Sequence, residues 1–178
     1  MPKLALSSVE RARLKSAVVA HYDFVWRGLR HLGVRAEDSD DIAQEVFEIL
    51  APKIGSLGPG AEKAYLFQIV SRVAANYRRR RARRSNVTGD GDVTVVPDPK
   101  PTPDSLAELN ERRRLLERLV ADLPEDLSTV FVLCELERMT LREVSAMLEI
   151  PLGTATSRLR RARAQLSEAL SRSWSKES

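Results

Sequence analysis

Residues 140–163, TLREVSAMLEIPLGTATSRLRRAR, hold the pattern that decides the fold. Thr140-Leu141-Arg142-Glu143 is a capping box: a hydroxyl able to accept from the third backbone N–H, and a glutamate able to reach back to the first. Leu141, Val144, Met147 and Leu148 then recur at helical spacing. Glu149-Ile150-Pro151-Leu152 breaks that run, and Ala155, Leu159, Ala162, Leu166 and Leu170 open a longer one. A short helix, a tight turn and a longer helix make a helix-turn-helix, whose second helix enters the major groove with its N-terminal residues on base edges. Between its inward positions that helix offers Thr154, Thr156, Ser157, Arg158, Arg160, Arg161 and Arg163. Arginine reads guanine bidentately, and serine and threonine read bases or phosphates flexibly. An ordinary helical hairpin with a solvated arginine face is the plainer alternative. Four arginines within six residues, with no acid before Glu168, favour DNA.

Upstream of this unit the pattern stays helical. Leu127, Val130, Phe131 and Cys134 form an apolar face after Pro124, and Leu106, Leu109, Leu116, Leu119 and Leu123 form a stripe before it. Residues 86–104 are rich in Gly, Pro and Asp and show no period, which marks a flexible linker. The short Val93–Val96 run has nothing to pair with and reads as irregular.

Three more helices are expected before the linker. The first opens on a second capping box, Ser7 to Glu10, and aligns Leu14, Val18, Tyr22, Val25, Leu29 and Leu32, with Gly33 as its stop. The next starts among the acids Glu37 to Asp41, with Ile42, Val46, Ile49 and Leu50 inward and Pro52 near its end. Ala51 to Lys63 carries three glycines and two prolines and reads as a loop. The third helix buries Leu66, Ile69, Val70, Val73 and Tyr77 and runs into Arg78–Arg84, six arginines in seven residues. The fold class is therefore all-α: two small helical domains, residues 8–85 and 105–173, joined by a flexible linker at 86–104.

Composition narrows the function. The chain has 178 residues, 43% hydrophobic, and a formal net charge of +4. That charge is uneven: residues 1–89 hold 16 Lys/Arg against 9 Asp/Glu, residues 90–104 hold 1 against 4, and residues 105–178 hold 12 against 12. A basic first half suits a polyanionic partner, most often nucleic acid. The Arg78–Arg84 run repels itself until counter-charge arrives, and phosphate is its natural source. No run of about 18 apolar residues is present, so no membrane insertion is expected. The first residues lack the apolar core of a secretory signal, so a cytoplasmic location is expected. One cysteine, Cys134, with His21 and His31, offers neither a disulfide nor a zinc set; no metal and no cofactor is expected.

The acidic stretch has two readings. Its carboxylates resemble acid/base or metal machinery, but no nucleophile, histidine or calcium loop lies near them in sequence. Asp41, Gln44, Glu45 and Glu48 share one side at helical spacing, so a solvated face or a protein-docking face fits better. Most aromatics read as core. Tyr65, beside the Gly-rich loop, is the best candidate for stacking on an unpaired base.

These segments, in this order, resemble bacterial sigma factors of the extracytoplasmic-function group (group IV), reduced to a region-two and a region-four domain. The resemblance covers roughly residues 15–85 and 106–170. The stretch at 38–47 is similar to the family's core-polymerase docking helix, which implies polymerase-binding roles for Asp38, Asp41, Gln44, Glu45, Phe47 and Glu48. Residues 64–77, with the arginines beyond, are similar to its promoter-melting helix, implying minus-ten contacts by Tyr65, Gln68, Arg72, Asn76, Arg79, Arg80 and Arg83. Residues 123–125 and 151–163 are similar to region four, implying minus-thirty-five contacts by Thr154, Thr156, Ser157, Arg158, Arg160 and Arg161. The implied partners are core RNA polymerase, promoter DNA and an anti-sigma factor, and the loop at 51–63 would receive a base flipped from the melted strand. Departures from the family pattern include Tyr65 where Trp is frequent, and Glu149 at a turn position often held by Gly, where a positive φ is costly. Two other classes compete: a free-standing helix-turn-helix regulator, and an enzyme built on the acidic cluster, which lacks a nucleophile–base pair.

Overall fold

The computed structural model describes residues 6–88 and 104–174, and every element among them is helical. The first three helices are α1 (Ser8–His31), α2 (Ala36–Leu50) and α3 (Glu62–Thr88). α1 opens on the expected cap: Ser7 Oγ accepts from Glu10 N at 3.2 Å, and Glu10 Oε2 accepts from Ser7 N at 2.8 Å. The chain leaves α1 through Gly33 at φ +88°, a left-handed conformation that a Cβ disfavours. A single 3-10 turn, Ala51–Lys53, follows α2 directly. The rest of the expected loop is held by Ile54, fully buried in the core, and by Arg13 of α1. The Arg13 guanidinium donates to Leu57 O and Gly58 O, each at 2.9 Å, and to Glu62 Oε1 at 2.7 Å.

α1, α2 and α3 pack on one another through Val25 and Leu29, through Ala43, Val46 and Leu50, and through Leu66, Phe67 and Val70. Each fully buried side chain of this kind is worth about 1.5–3 kcal/mol over its exposed state. α3 continues to Thr88, three residues into the stretch expected to be linker. Ser85 to Thr88 contain no breaker, the first being Gly89, and extending a formed helix is far easier than nucleating one. Expectations for residues 1–5 and 89–103, the Val93–Val96 run among them, lie outside the described residues. So do those for the side chains of Arg84, Leu106, Leu109 and Trp174.

The second group comprises α4 (Asp104–Asp122), α5 (Glu125–Phe131), α6 (Leu141–Met147) and α7 (Leu152–Trp174). α5 runs on into a π-helical turn, Val132–Leu136, where Glu137 N donates to Val132 O at 2.9 Å. Leu127, Val130, Phe131, Val144, Leu159, Ala162 and Leu166 close its core, as their spacing predicts; Leu133 joins them, while Cys134, expected on that face, is only half-buried. The two groups are not separate beads. Ser71 of α3 and Thr129 of α5, both buried, share a 2.8 Å hydroxyl–hydroxyl hydrogen bond. Arg27 and Arg30 of α1 pair with Glu137 and with Glu117 of α4 at 3.0 and 3.3 Å.

Candidate nucleic-acid interface

α3 divides its surface three ways. Leu66, Phe67, Val70, Val73 and Ala74 face the first core, and Ser71 faces α5. Gln68, Arg72, Asn76, Arg79, Arg80 and Arg83 are all exposed, and steps of three and four put them on one stripe. Six of the seven residues assigned to the minus-ten element thus share one open face. Arg79 donates to Asn76 Oδ1 at 2.6 Å, which aligns two of them. Tyr65 is different. It is half-buried against the core, next to the loop that Arg13 anchors. Arg78 also leaves the stripe: it is half-buried, donates to Leu32 O, and burial draws its pKa down. It closes the end of α1 and is not part of the free basic face.

The helix-turn-helix is built as its sequence predicts. Thr140 N donates to Glu143 Oε2 at 2.7 Å, and Glu143 N donates to Thr140 Oγ1 at 3.3 Å. The turn passes through Glu149 at φ +54°, the costly geometry expected at that position. Ser145 Oγ donates to Ile150 O at 2.6 Å and clamps the turn. Pro151 O then accepts from Thr154 N and Ala155 N, starting α7.

The four arginines in the first half of α7 fall into two pairs. Arg158 is half-buried and bonds to Asp126 of α5 at 3.2 Å; Arg163 Nε donates to Glu135 of the π turn at 2.9 Å. Both brace α7 against the elements beneath it. Arg160 and Arg161 are exposed and form no ion pair with a described residue. Leu152, Gly153, Thr156, Ser157 and Arg160 line a shallow surface groove of roughly 480 Å³. There the Thr156 and Ser157 hydroxyls donate to their own helix backbone at 2.9 and 3.0 Å. Thr154 is half-buried at the turn.

The acidic helix α2 is also sorted by the fold. Asp41, Gln44, Glu45 and Glu48 are exposed on one side, with Gln44 Nε2 donating to Glu48 at 2.9 Å. Phe47 points inward, 8% exposed, and stacks on Tyr22 with centroids 6.4 Å apart. Asp38 is half-buried and accepts a 2.6 Å hydrogen bond from Tyr77 Oη of α3. Asp40, absent from the sequence-derived set, accepts from Tyr22 Oη and Trp26 Nε1 of α1 at 2.9 and 3.0 Å. Arg13 carries no local sequence signal, since it is one of four arginines spread along α1 and its partners lie more than 40 residues away.

Among the described residues no group of three His, Cys, Asp or Glu could hold a metal ion. Cys134 lies half-buried in the π turn, and burial raises its thiol pKa, which disfavours the thiolate. Among the described residues no helix is long and apolar enough to cross a membrane.

Comparison with known proteins gives this arrangement its class. Residues 17–84 match sigma-70 region 2, and residues 113–166 match sigma-70 region 4. The chain belongs to the sigma-70 family of RNA polymerase sigma factors. Several of the relatives it resembles are extracytoplasmic-function (ECF) sigma factors. The ECF sigma factor SigE of Mycolicibacterium smegmatis is 28% identical over 152 residues, which are 85% of this chain and 59% of that protein. The RNA polymerase sigma-H factor of Pseudomonas aeruginosa is 30% identical over 145 residues, 76% of this chain and 74% of that one. The solved structure of CnrH with the cytosolic domain of CnrY has a similar fold, with a TM-score of 0.62 at 23% identity, covering 89% of this chain and 87% of that one. The sigma factor RpoE with the anti-sigma factor NepR from Bartonella quintana is similar too, with a TM-score of 0.58 at 20% identity, covering 88% of this chain and 96% of that chain.

Proposed function

We propose that this chain is a group IV alternative sigma factor. It acts in the cytoplasm, catalyses no reaction of its own, and directs core RNA polymerase to a two-part promoter. Residues 8–85 form the docking and melting domain, 86–104 the linker, and 105–173 the minus-thirty-five domain. The observation that carries this reading is that one chain bears two exposed cationic helix faces on separate helices, the α3 stripe and the Arg160–Arg161 face of α7.

In this reading Asp41, Gln44, Glu45 and Glu48 meet a basic surface of the polymerase. The stripe from Gln68 to Arg83 holds the minus-ten DNA, with Tyr65 and the anchored loop beside it available to an unstacked base. Thr154, Thr156, Ser157, Arg160 and Arg161 read the minus-thirty-five element in the major groove. Neither DNA contact need be tight alone. Once polymerase fixes their spacing, binding at one element raises the effective concentration at the other. An anti-sigma factor is the partner that would hold the chain inactive; the relative from Bartonella quintana is in complex with one. A free-standing regulator would need no polymerase-docking face.

The docking face supplies the test. Gln44→Ala combined with Glu45→Ala, both at exposed positions, is expected to weaken core-polymerase affinity about tenfold, with helicity by circular dichroism unchanged. Wild-type affinity in the double variant would contradict the docking role.

A further inference from the structure

The acidic run of α2 presents its carboxylates to two different places. Asp41 and Glu45 project into solvent, whereas Asp38 is half-buried with its Oδ2 on the hydroxyl of Tyr77, 39 residues away on α3. Two residues along, the Oδ1 of Asp40 takes both the Tyr22 hydroxyl and the Trp26 indole N–H of α1. Asp38 and Asp40 are thus each met by neutral aromatic donors from a different neighbouring helix, and none of these three bonds is an ion pair.

From this geometry we infer that Asp38 and Asp40 are positioning residues: they pin the docking helix α2 to α3 and α1, and only the acids further along meet the polymerase. This deepens the proposed docking role of α2 and rests on it. The pins matter because Tyr77 lies between two parts of one stripe, one residue past Asn76 and two before Arg79. A bond from Tyr77 to Asp38 ties the face that would hold polymerase to the face that would hold promoter DNA. The angle between those faces is then set by specific bonds as well as by apolar packing. Packing alone tolerates small slippage, whereas a hydrogen bond weakens steeply with distance and angle.

Substitutions separate this role from a direct charge contact. Asn keeps an acceptor oxygen but loses the charge; Ala loses both. Both lose equally whatever the Asp38 charge contributes at the N-terminus of α2, so their difference isolates the acceptor. Core-polymerase affinity of the full chain is expected to stay within about twofold for Asp38→Asn. It should fall about threefold to tenfold for Asp38→Ala and for Tyr77→Phe, as expected for one lost hydrogen bond. Asp41→Asn, which removes an exposed charge, should weaken binding where Asp38→Asn does not.

Amide hydrogen exchange on the free chain decides the anchoring without polymerase. α2 should exchange faster in Asp38→Ala, Tyr77→Phe and Asp40→Ala, and at the wild-type rate in Asp38→Asn and Asp40→Asn. Affinity lost equally in Asp38→Asn and Asp38→Ala would overturn the inference, because the charge would then be what binds. Unchanged exchange of α2 in Tyr77→Phe would overturn it as well. If Asp41→Asn leaves affinity intact while α2 loosens in Asp38→Ala, the docking reading fails and the anchoring stands.

Discussion

Glu10 and Glu143 close two capping boxes, and both carboxyls are held below their ordinary pKa of 4.5 by the N-cap backbone N–H of Ser7 and Thr140. The sign follows from that direction. A depressed pKa means the folded chain favours the carboxylate, so its contribution to stability is present above pH 4.5 and is lost as pH falls below it. Thermal melts should therefore show falling stability on acidification through that range. Glu143→Gln, which keeps the acceptor and removes the titration, should flatten part of the slope; an unchanged slope would contradict the assignment. The caps were legible in the sequence because they close within three residues. The break at 149–152 was legible from the two apolar periods it separates, whereas the left-handed geometry of Glu149 followed from the family resemblance, not from the period.

At the scale of the element, sequence spacing sorted the apolar faces well and the polar faces less well. Ala155, Leu159, Ala162 and Leu166 are buried as their period requires. The same period puts Arg158, Arg160, Arg161 and Arg163 on the remaining surface but does not say which of them finds an acid on another helix. Arg158 meets Asp126, 32 positions earlier, and Arg163 meets Glu135, 28 positions earlier. Spacing likewise does not show that Asp38, to which the resemblance gives a docking role, meets Tyr77 of a neighbouring helix. Phe47, to which the family resemblance gives a polymerase-binding role, is buried on the side it shares with Val46 and Leu50. The sorting predicts different phenotypes. Arg160→Ala should lose discrimination at one minus-thirty-five base pair, about 1–3 kcal/mol if the contact is bidentate. Arg158→Ala should leave base discrimination intact and cost up to about 1 kcal/mol of stability, as a part-exposed ion pair does. Binding to minus-thirty-five variants, with urea unfolding alongside, checks both; equal loss of discrimination in the two would contradict the assignment.

At the scale of the molecule, the two sigma regions share a boundary that composition did not show. Ser71 meets Thr129, Arg27 meets Glu137, Arg30 meets Glu117, and α1 ends against α4. Gly33 lies close against it: a Cβ there would stand 2.6 Å from the Ala121 Cβ at a φ of +88°. Gly33→Ala must either strain the backbone or push the two regions apart. It should cost about 2 kcal/mol or more, read as a lower denaturation midpoint; wild-type stability would show that the boundary yields freely. The sequence marked Gly33 as a helix stop but not as a contact, because Ala121 lies far along the chain.

The most direct test of the central claim is transcription in vitro. The purified chain is mixed with sigma-free core RNA polymerase and genomic DNA fragments, and transcript starts are sequenced. The account predicts discrete new starts that share two upstream elements at fixed spacing and fade steeply with added salt. An absence of new starts, with the chain folded and bound to a cognate polymerase, would contradict it.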